Sequence, residues 1–346
     1  VNFSGEFSKN LLPKGMLYFR NLIFGLCLLA LPHRLVGGVD IPPKIKPFLV
    51  DEFYPVDPAL ACRIAILKDI NDIELRGGKR WRPLFVFLSA SFLGIEPEEV
   101  LPLAVAIEWI HTGSLMQDDL VDGDNLRRNL PTMAARGVRL RTAVLGGDFI
   151  ILSALEEIEK LPSRHRLIFP FIRATKALPK GELEQDQLLK QISYNAGDWR
   201  RVARLKTGAL FGWAWEAPFI VADTSDQFKH RASEVGVRIG ELFQLWDDLD
   251  DSLILAKRGE LNRVLLRAGQ LSNTSPFSSE FAPAALEIAL AESKQLLLTG
   301  LNTLLTEMRD LHRDTRAFRE KAQVSETDSE NALRCFEQAI EHLSPK

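Results

Sequence analysis

Cysteine is scarce: Cys27, Cys62 and Cys335 are the three in 346 residues. They are too few and too widely spaced for a disulfide framework or for the close-set pairs of a zinc site. That scarcity points to a reducing compartment, and the expected location is the cytoplasm. A run of about 20 uninterrupted apolar residues is also missing, which excludes an ordinary membrane-spanning helix. The nearest candidate, Leu22 to Leu31 between Arg20 and Arg34, has the length of a signal-peptide core. Pro32, His33 and Arg34 stand where small residues would mark a cleavage site, so the run reads as an extra N-terminal helix. Such a helix could rest on a bilayer, and peripheral membrane contact is an expectation. The chain begins with Val1, and Met16 is a candidate start. Neither sign of charge dominates: 43 basic and 46 acidic residues leave a net charge of −3. No global field draws a polyanion, so no nucleic-acid partner is expected and any basic site must be local.

What is present is apolar material, 46% of residues, enough for a packed core. From about residue 57 apolar positions recur at three- and four-residue spacing, as in Leu60, Ile64, Leu67 and Ile70, the period of an amphipathic helix. The pattern predicts helices over roughly 81–93, 100–122, 142–160, 181–193, 198–222 and 227–256. Gly77 and Gly78, Gly94 with Pro97, Pro131, Pro162, Pro179 with Gly181, and Gly197 with Asp198 are the expected boundaries. Residues 272–279 read as a loop before two C-terminal helices. Residues 1–55, with Pro42, Pro43, Pro47 and Pro55, read as a leader and arm, and 56–346 as one all-α domain.

The sharpest feature is Asp118, Asp119 and Asp122 at the end of an apolar helical stretch. Residues four apart share a helix face about 6 Å apart along the axis, a separation suited to holding divalent cations. The same figure returns at Asp247, Asp248 and Asp251, with Asp250 beside them. Like charges at this spacing repel, and solvated helix faces ordinarily mix both signs, so two such clusters continuing apolar runs call for a compensating cation. Facing clusters of this kind suit Mg²⁺ bridging carboxylate and diphosphate oxygens. The chemistry would be ionisation of that diphosphate inside a water-poor core. Phe211, Trp213, Phe243 and Trp246 are candidates to line the cavity and equally ordinary core residues. Local basic groups for a second diphosphate exist at Gly77-Gly-Lys-Arg-Trp-Arg-Pro and at Arg127-Arg128, since helix starts and arginine forks both suit phosphate.

Taken together, these residues resemble the trans-isoprenyl (polyprenyl) diphosphate synthase family over roughly 57–256. The matching signs are Gly-Gly-Lys-Arg-x-Arg-Pro at 77–83, Glu108-x-x-His111, Asp118-Asp-x-x-Asp122 with Arg127-Arg128, Pro131-Thr132 and Gly146-Gly-Asp148. They continue with Gly181-Glu-Leu-Glu-Gln185, Lys206-Thr207 and Gln244-x-x-Asp247-Asp-x-x-Asp251. The resemblance implies an antiparallel helical bundle with a central cavity, an isoprenoid-synthase fold, and a homodimer. It implies a prenyltransferase joining isopentenyl diphosphate to an allylic diphosphate. Asp118, Asp122 and Asp247, with Asp119, Asp248 and Asp251 in the same clusters, would form the Mg²⁺ site, three ions in all. Arg127, Lys206, Thr207 and Gln244 would assist at the allylic diphosphate. Lys79, Arg82, His111 and Arg128 would hold isopentenyl diphosphate.

Three positions depart from the family's pattern. Gln117 stands where a histidine commonly precedes the first aspartates, Asn129 replaces a glycine, and the segment after Asp251 lacks a glycine-lysine-threonine run. Lys257 or Arg258 is the candidate substitute for the missing lysine. One turn before the first cluster, Gly113 and Ser114 are small, and a product of C20 or longer is expected. Two other readings remain open: a noncatalytic partner subunit of such a synthase, and a class I terpene cyclase.

Overall fold

A computed structural model describes residues 41–50, 54–76, 78, 80–127, 130–191, 194–255, 261–276 and 281–341, with the backbone alone at 191, 250–255 and 336–341. The helices are α1 (Pro58–Ala61), α2 (Ala65–Asp69), α3 (Trp81–Phe92), α4 (Pro97–Asp122), α5 (Leu140–Glu159), α6 (Arg164–Gln191) and α7 (Ala196–Ala203). There follow α8 (Ala209–Val221), α9 (Asp226–Leu255), α10 (Arg263–Ser272), α11 (Pro283–Asp314), α12 (Arg316–Lys321) and α13 (Glu326–Glu341). The only strands among the described residues are β1 (Leu126–Arg127) and β2 (Leu130–Pro131), an antiparallel hairpin with Arg127 opposite Leu130. The fold is all-α, as the periodicity predicts.

Local chemistry sets the helix ends. α4 begins with a capping box between Glu96 and Glu99 and a proline at its first turn, and it ends at Gly123 with φ +67°, a conformation that glycine adopts without strain. The expected boundary at Pro179 and Gly181 does not exist: α6 runs through both Pro170 and Pro179. Proline inside a helix costs about 3 kcal/mol, and burial of Phe171, Ala174 and Leu178 on the same helix offsets it. Gly181 serves packing instead, because a Cβ there would lie 2.7 Å from Lys206 Cγ. The expected helix over 198–222 is α7 and α8 joined through a π-helical turn, Arg204–Gly208.

The core lies where α3, α4 and α8 meet. Every residue of α8 from Leu210 to Ile220 is buried, the mark of a helix enclosed on all sides. Phe92 meets Trp215 edge to face at 5.3 Å, and Phe85 meets Phe211 at 5.4 Å. α8 and α9 approach closely through glycines: a Cβ at Gly236 would sit 2.2 Å from the Phe211 carbonyl oxygen, and one at Gly240 2.5 Å from Gly208 Cα. This contact fixes the register between the π turn and the second aspartate cluster on α9. The described part of the proline-rich arm is packed on the bundle, with Ile45 and Tyr54 fully buried. Trp109 Nε1 donates to the Tyr54 carbonyl at 2.7 Å.

Candidate active site

The end of α4 places the first aspartate cluster. Asp118 is half-buried, and its carboxyl is pushed up to about 7, first by burial and next by the nearby Glu182. Asp122 raises it further, while Lys206 and Arg127 oppose the shift. Asp122 itself is exposed at the helix end. Asp119 differs: it is 4% exposed and accepts from Arg127 Nε at 2.7 Å and from Arg127 Nη2. The Asp119 carboxyl is raised, first by burial and further by Asp124 and Asp122, against the lowering effect of Arg127. The hairpin that carries Arg127 is pinned by Thr132, whose Oγ1 donates to the Asp124 carbonyl at 2.6 Å. Gln117 Nε2 donates to Asp148 Oδ1 at 2.9 Å, tying α4 to α5 just before the first aspartate cluster.

α6 and the π turn supply the facing wall. Lys206 Nζ lies 2.7 Å from Glu182 Oε1 and donates to Gln185 Oε1 at 3.2 Å. Thr207 Oγ1 donates to Gln244 Oε1 of α9 at 2.9 Å. Gln244 Nε2 in turn donates to Asp248 Oδ1 at 3.2 Å. The two clusters are thereby joined: Asp118 senses Lys206, the adjacent Thr207 binds Gln244, and Gln244 reaches the second cluster. π-Helical turns are often found at functional sites, and nothing in the periodicity betrays this one.

In the second cluster Asp247 is half-buried and Asp248 is 1% exposed. Asp248 accepts from Trp199 Nε1 at 2.7 Å and from the Arg263 backbone N–H at 2.7 Å, besides Gln244. Asn262 donates from Nδ2 to the Asp248 carbonyl at 3.0 Å and is clamped by Tyr194, whose hydroxyl donates to the Asn262 carbonyl at 2.8 Å. Asp119 and Asp248, both expected as metal ligands, accept hydrogen bonds from protein donors on the buried sides of their helices, Asp119 through Oδ1 and Asp248 through both oxygens. Among the described residues no three Asp, Glu, His or Cys side chains converge on one point. The side chain of Asp251 lies outside the described residues, as do Lys79, Arg128, Lys257 and Arg258.

The other expected residues divide. The Arg82 guanidinium lies 4.8 Å over the Phe211 ring, and Phe211, Phe243 and Trp246 form a row with centroids 5.7 and 5.6 Å apart. This row leads from Arg82 to the residue before Asp247. Trp213 stands apart from it, 1% exposed and edge-on to Phe171 at 5.4 Å, so it is a core residue. His111 is half-buried on α4. The space beside Gly113 is filled, since a Cβ there would meet Ile151 Cγ1 at 2.6 Å and Ile150 Cγ2 at 2.9 Å. Its small size serves the α4–α5 contact. Sequence reasoning passed over Glu182 and Gln185 as site residues, although both lie in a motif it singled out. It also passed over Arg80, whose buried guanidinium pairs with Glu108.

Residues 65–259 match the family model described as Polyprenyl synthetase, and the chain belongs to that family. It is similar to the octaprenyl diphosphate synthase of Haemophilus influenzae, 35% identical over 175 residues, 51% of this chain and 53% of that protein. The heptaprenyl diphosphate synthase component 2 of Geobacillus stearothermophilus is 32% identical over 177 residues, 51% of this chain and 54% of the relative. The chain thus spans about half the length of these two relatives. The geranylgeranyl pyrophosphate synthetase of Geoglobus acetivorans superposes with a TM-score of 0.70, covering 87% of this chain and 99% of that one at 19% identity. That likeness shows the shared fold.

Proposed function

We propose that this chain is a Mg²⁺-dependent prenyltransferase that condenses isopentenyl diphosphate with an allylic diphosphate and extends the product to C20 or beyond. The observation that carries the proposal is the Lys206–Glu182 ion pair within electrostatic reach of half-buried Asp118, with the adjacent Thr207 linked through Gln244 to the second cluster. Family membership and the octaprenyl and heptaprenyl names of its relatives support the reaction and the product length.

The residues present fit Mg²⁺. Burial beside Glu182 and Asp122 leaves Asp118 with an excess of negative surroundings that a cation relieves. Mg²⁺ is ordinarily held by one or two carboxylates with phosphate oxygens and water completing its shell, so a converged protein cage is not required. Asp118, Asp122 and Asp247 would hold it, three ions in all, with Asp251 beside them. Bound Mg²⁺ supplies neutralisation of the charge that develops on the leaving diphosphate.

The chain's own groups do the rest. Asp119 orients Arg127, and Arg127 with Lys206, Thr207 and Gln244 steadies the allylic diphosphate. Lys79, Arg82, His111 and Arg128 hold isopentenyl diphosphate. The row of Phe211, Phe243 and Trp246 excludes water and offers ring faces to a developing cation. Exposed Leu140, Leu145, Leu152, Phe169, Ile172 and Leu183 on α5 and α6 support a homodimer, since large apolar side chains left in water gain by burial against a second copy. No helix of the described residues is long and apolar enough to cross a membrane. A cytoplasmic enzyme touching the bilayer through Leu22 to Leu31, a run outside the described residues, belongs to the same proposal.

The test is to incubate the purified protein with labelled isopentenyl diphosphate and C5, C10, C15 or C20 allylic diphosphates, with Mg²⁺ or with chelator, and to size the dephosphorylated products. Mg²⁺-dependent products of C20 or longer are expected. No elongation from any primer would replace this reading with that of a partner subunit.

A further inference from the structure

We infer that the buried ion pair between Arg80 and Glu108 is a positioning device for the isopentenyl diphosphate side of the site, holding Arg82 and His111 in register. The inference rests on the reading proposed above. Arg80 and Glu108 are each 2% exposed, so both charges are withdrawn from water, a cost that mutual pairing must offset. The Arg80 guanidinium pairs with the Glu108 carboxylate, donates to the Leu75 carbonyl, and lies 4.5 Å from the centroid of the Tyr54 ring. Its backbone is left-handed, φ +52°, at the N-cap of α3. A side chain other than glycine or asparagine adopts that conformation at a cost, and persists there only when the surroundings enforce it.

The geometry gives the enforcement a purpose. Arg82 follows Arg80 by two residues on the first turn of α3, and His111 follows Glu108 by three residues, one turn along α4. The pair therefore ties the start of α3 to α4 within one helical turn, in sequence, of each of the two basic residues. Tyr54 extends the tie to the N-terminal arm, since its carbonyl accepts from Trp109 and its hydroxyl donates to the Phe48 carbonyl at 2.9 Å. Neither Arg80 nor Glu108 need touch substrate. A pair kept only for stability could be exchanged for apolar side chains of similar size with little or no loss, because such exchanges remove both desolvation costs together.

That difference defines the experiment. The double variant Arg80→Met/Glu108→Met is compared with the full-length wild type in thermal unfolding, in calorimetric binding of isopentenyl diphosphate without allylic substrate, and in steady-state kinetics. The expected result is a near-native Tm, a Kd for isopentenyl diphosphate at least roughly tenfold weaker, and an unchanged KM for the allylic diphosphate. The conservative variant Arg80→Lys, which keeps the charge, is expected to recover part of the binding. Wild-type affinity in the double variant overturns the inference, as does weakening of both substrates alike. A double variant that fails to fold overturns it too unless Arg80→Lys, folded, shows a weaker loss confined to isopentenyl diphosphate. Absence of isopentenyl diphosphate binding by the wild type overturns the underlying reading and this inference with it.

Discussion

The hydroxyl of Thr207 donates a 2.9 Å hydrogen bond to the side-chain oxygen of Gln244, and through it the π turn after α7 is locked to the helix bearing the second aspartate cluster. Replacing Thr207 with valine keeps the shape and removes the donor. The substitution is expected to cost about 1 kcal/mol, the usual net worth of such a bond, read from the midpoint of urea unfolding. A larger loss is expected in kcat, because the neighbouring Lys206 loses its fixed backbone. An unchanged midpoint and unchanged kcat would contradict the link.

The close approach of α8 and α9 depends on glycine at the crossing. A Cβ at Gly236 would lie 2.2 Å from the Phe211 carbonyl oxygen, a contact with backbone that cannot be relieved by a rotamer change. Gly236→Ala is expected to cost about 1–3 kcal/mol, the usual range for overpacking. Chemical denaturation measures it, and a neutral effect would show that the helices separate freely.

The raised Asp118 carboxyl makes the metal-free protein sensitive to pH. Its ordinary value of 3.8 applies to the unfolded chain, and burial raises it to about 7 in the fold. Between those values the unfolded state has lost the proton and the folded state retains it. Stability from this group is therefore fully present below about pH 4 and is lost as pH rises through about 7. In chelator, the Tm of the wild type is expected to fall from pH 5 to pH 8 by more than that of Asp118→Asn, and added Mg²⁺ is expected to restore it at the upper end. Parallel Tm profiles for the two proteins would refute the assignment.

The fold class and helix limits were largely legible because helical periodicity and capping act locally, as at Glu96 to Glu99. Pro179 and Gly181 read as a boundary in the sequence, and packing overrides that local preference: buried Phe171, Ala174 and Leu178 hold α6 together through both prolines, and Gly181 makes room for Lys206. The aspartate clusters were legible as a spacing, whereas the inward turn of Asp119 and Asp248 was not. Which carboxylate is spent on protein donors depends on Arg127, Trp199 and the Arg263 amide, partners brought in from other segments. Arg80 illustrates the same limit, since its neighbour Arg82 has the same side chain and only the fold buries one of them against Glu108.

Self-association should be sensitive to the exposed apolar face of α5 and α6. Phe169 is 78% exposed and Leu183 71%, values unusual for side chains that gain from burial. If the proposed homodimer forms through this face, Phe169→Asp with Leu183→Asp is expected to leave a monomer in sedimentation velocity with far-UV circular dichroism unchanged. An unaltered sedimentation coefficient would place the interface elsewhere.

The central claim is that each aspartate cluster divides its labour, one carboxylate facing the substrate metal and its neighbour holding the scaffold. The most direct test compares Asp247→Asn with Asp248→Asn in Mg²⁺-dependent elongation and in urea unfolding. Asp247→Asn is expected to lower kcat by roughly 100-fold or more, as loss of several kcal/mol of charge stabilisation implies, with a native unfolding midpoint. Asp248→Asn is expected to lose about 1.5–3 kcal/mol of stability from its charged hydrogen bonds while retaining more activity than Asp247→Asn at a temperature where both are folded. The reverse pattern, a stable and inactive Asp248→Asn beside an active Asp247→Asn, would contradict the account.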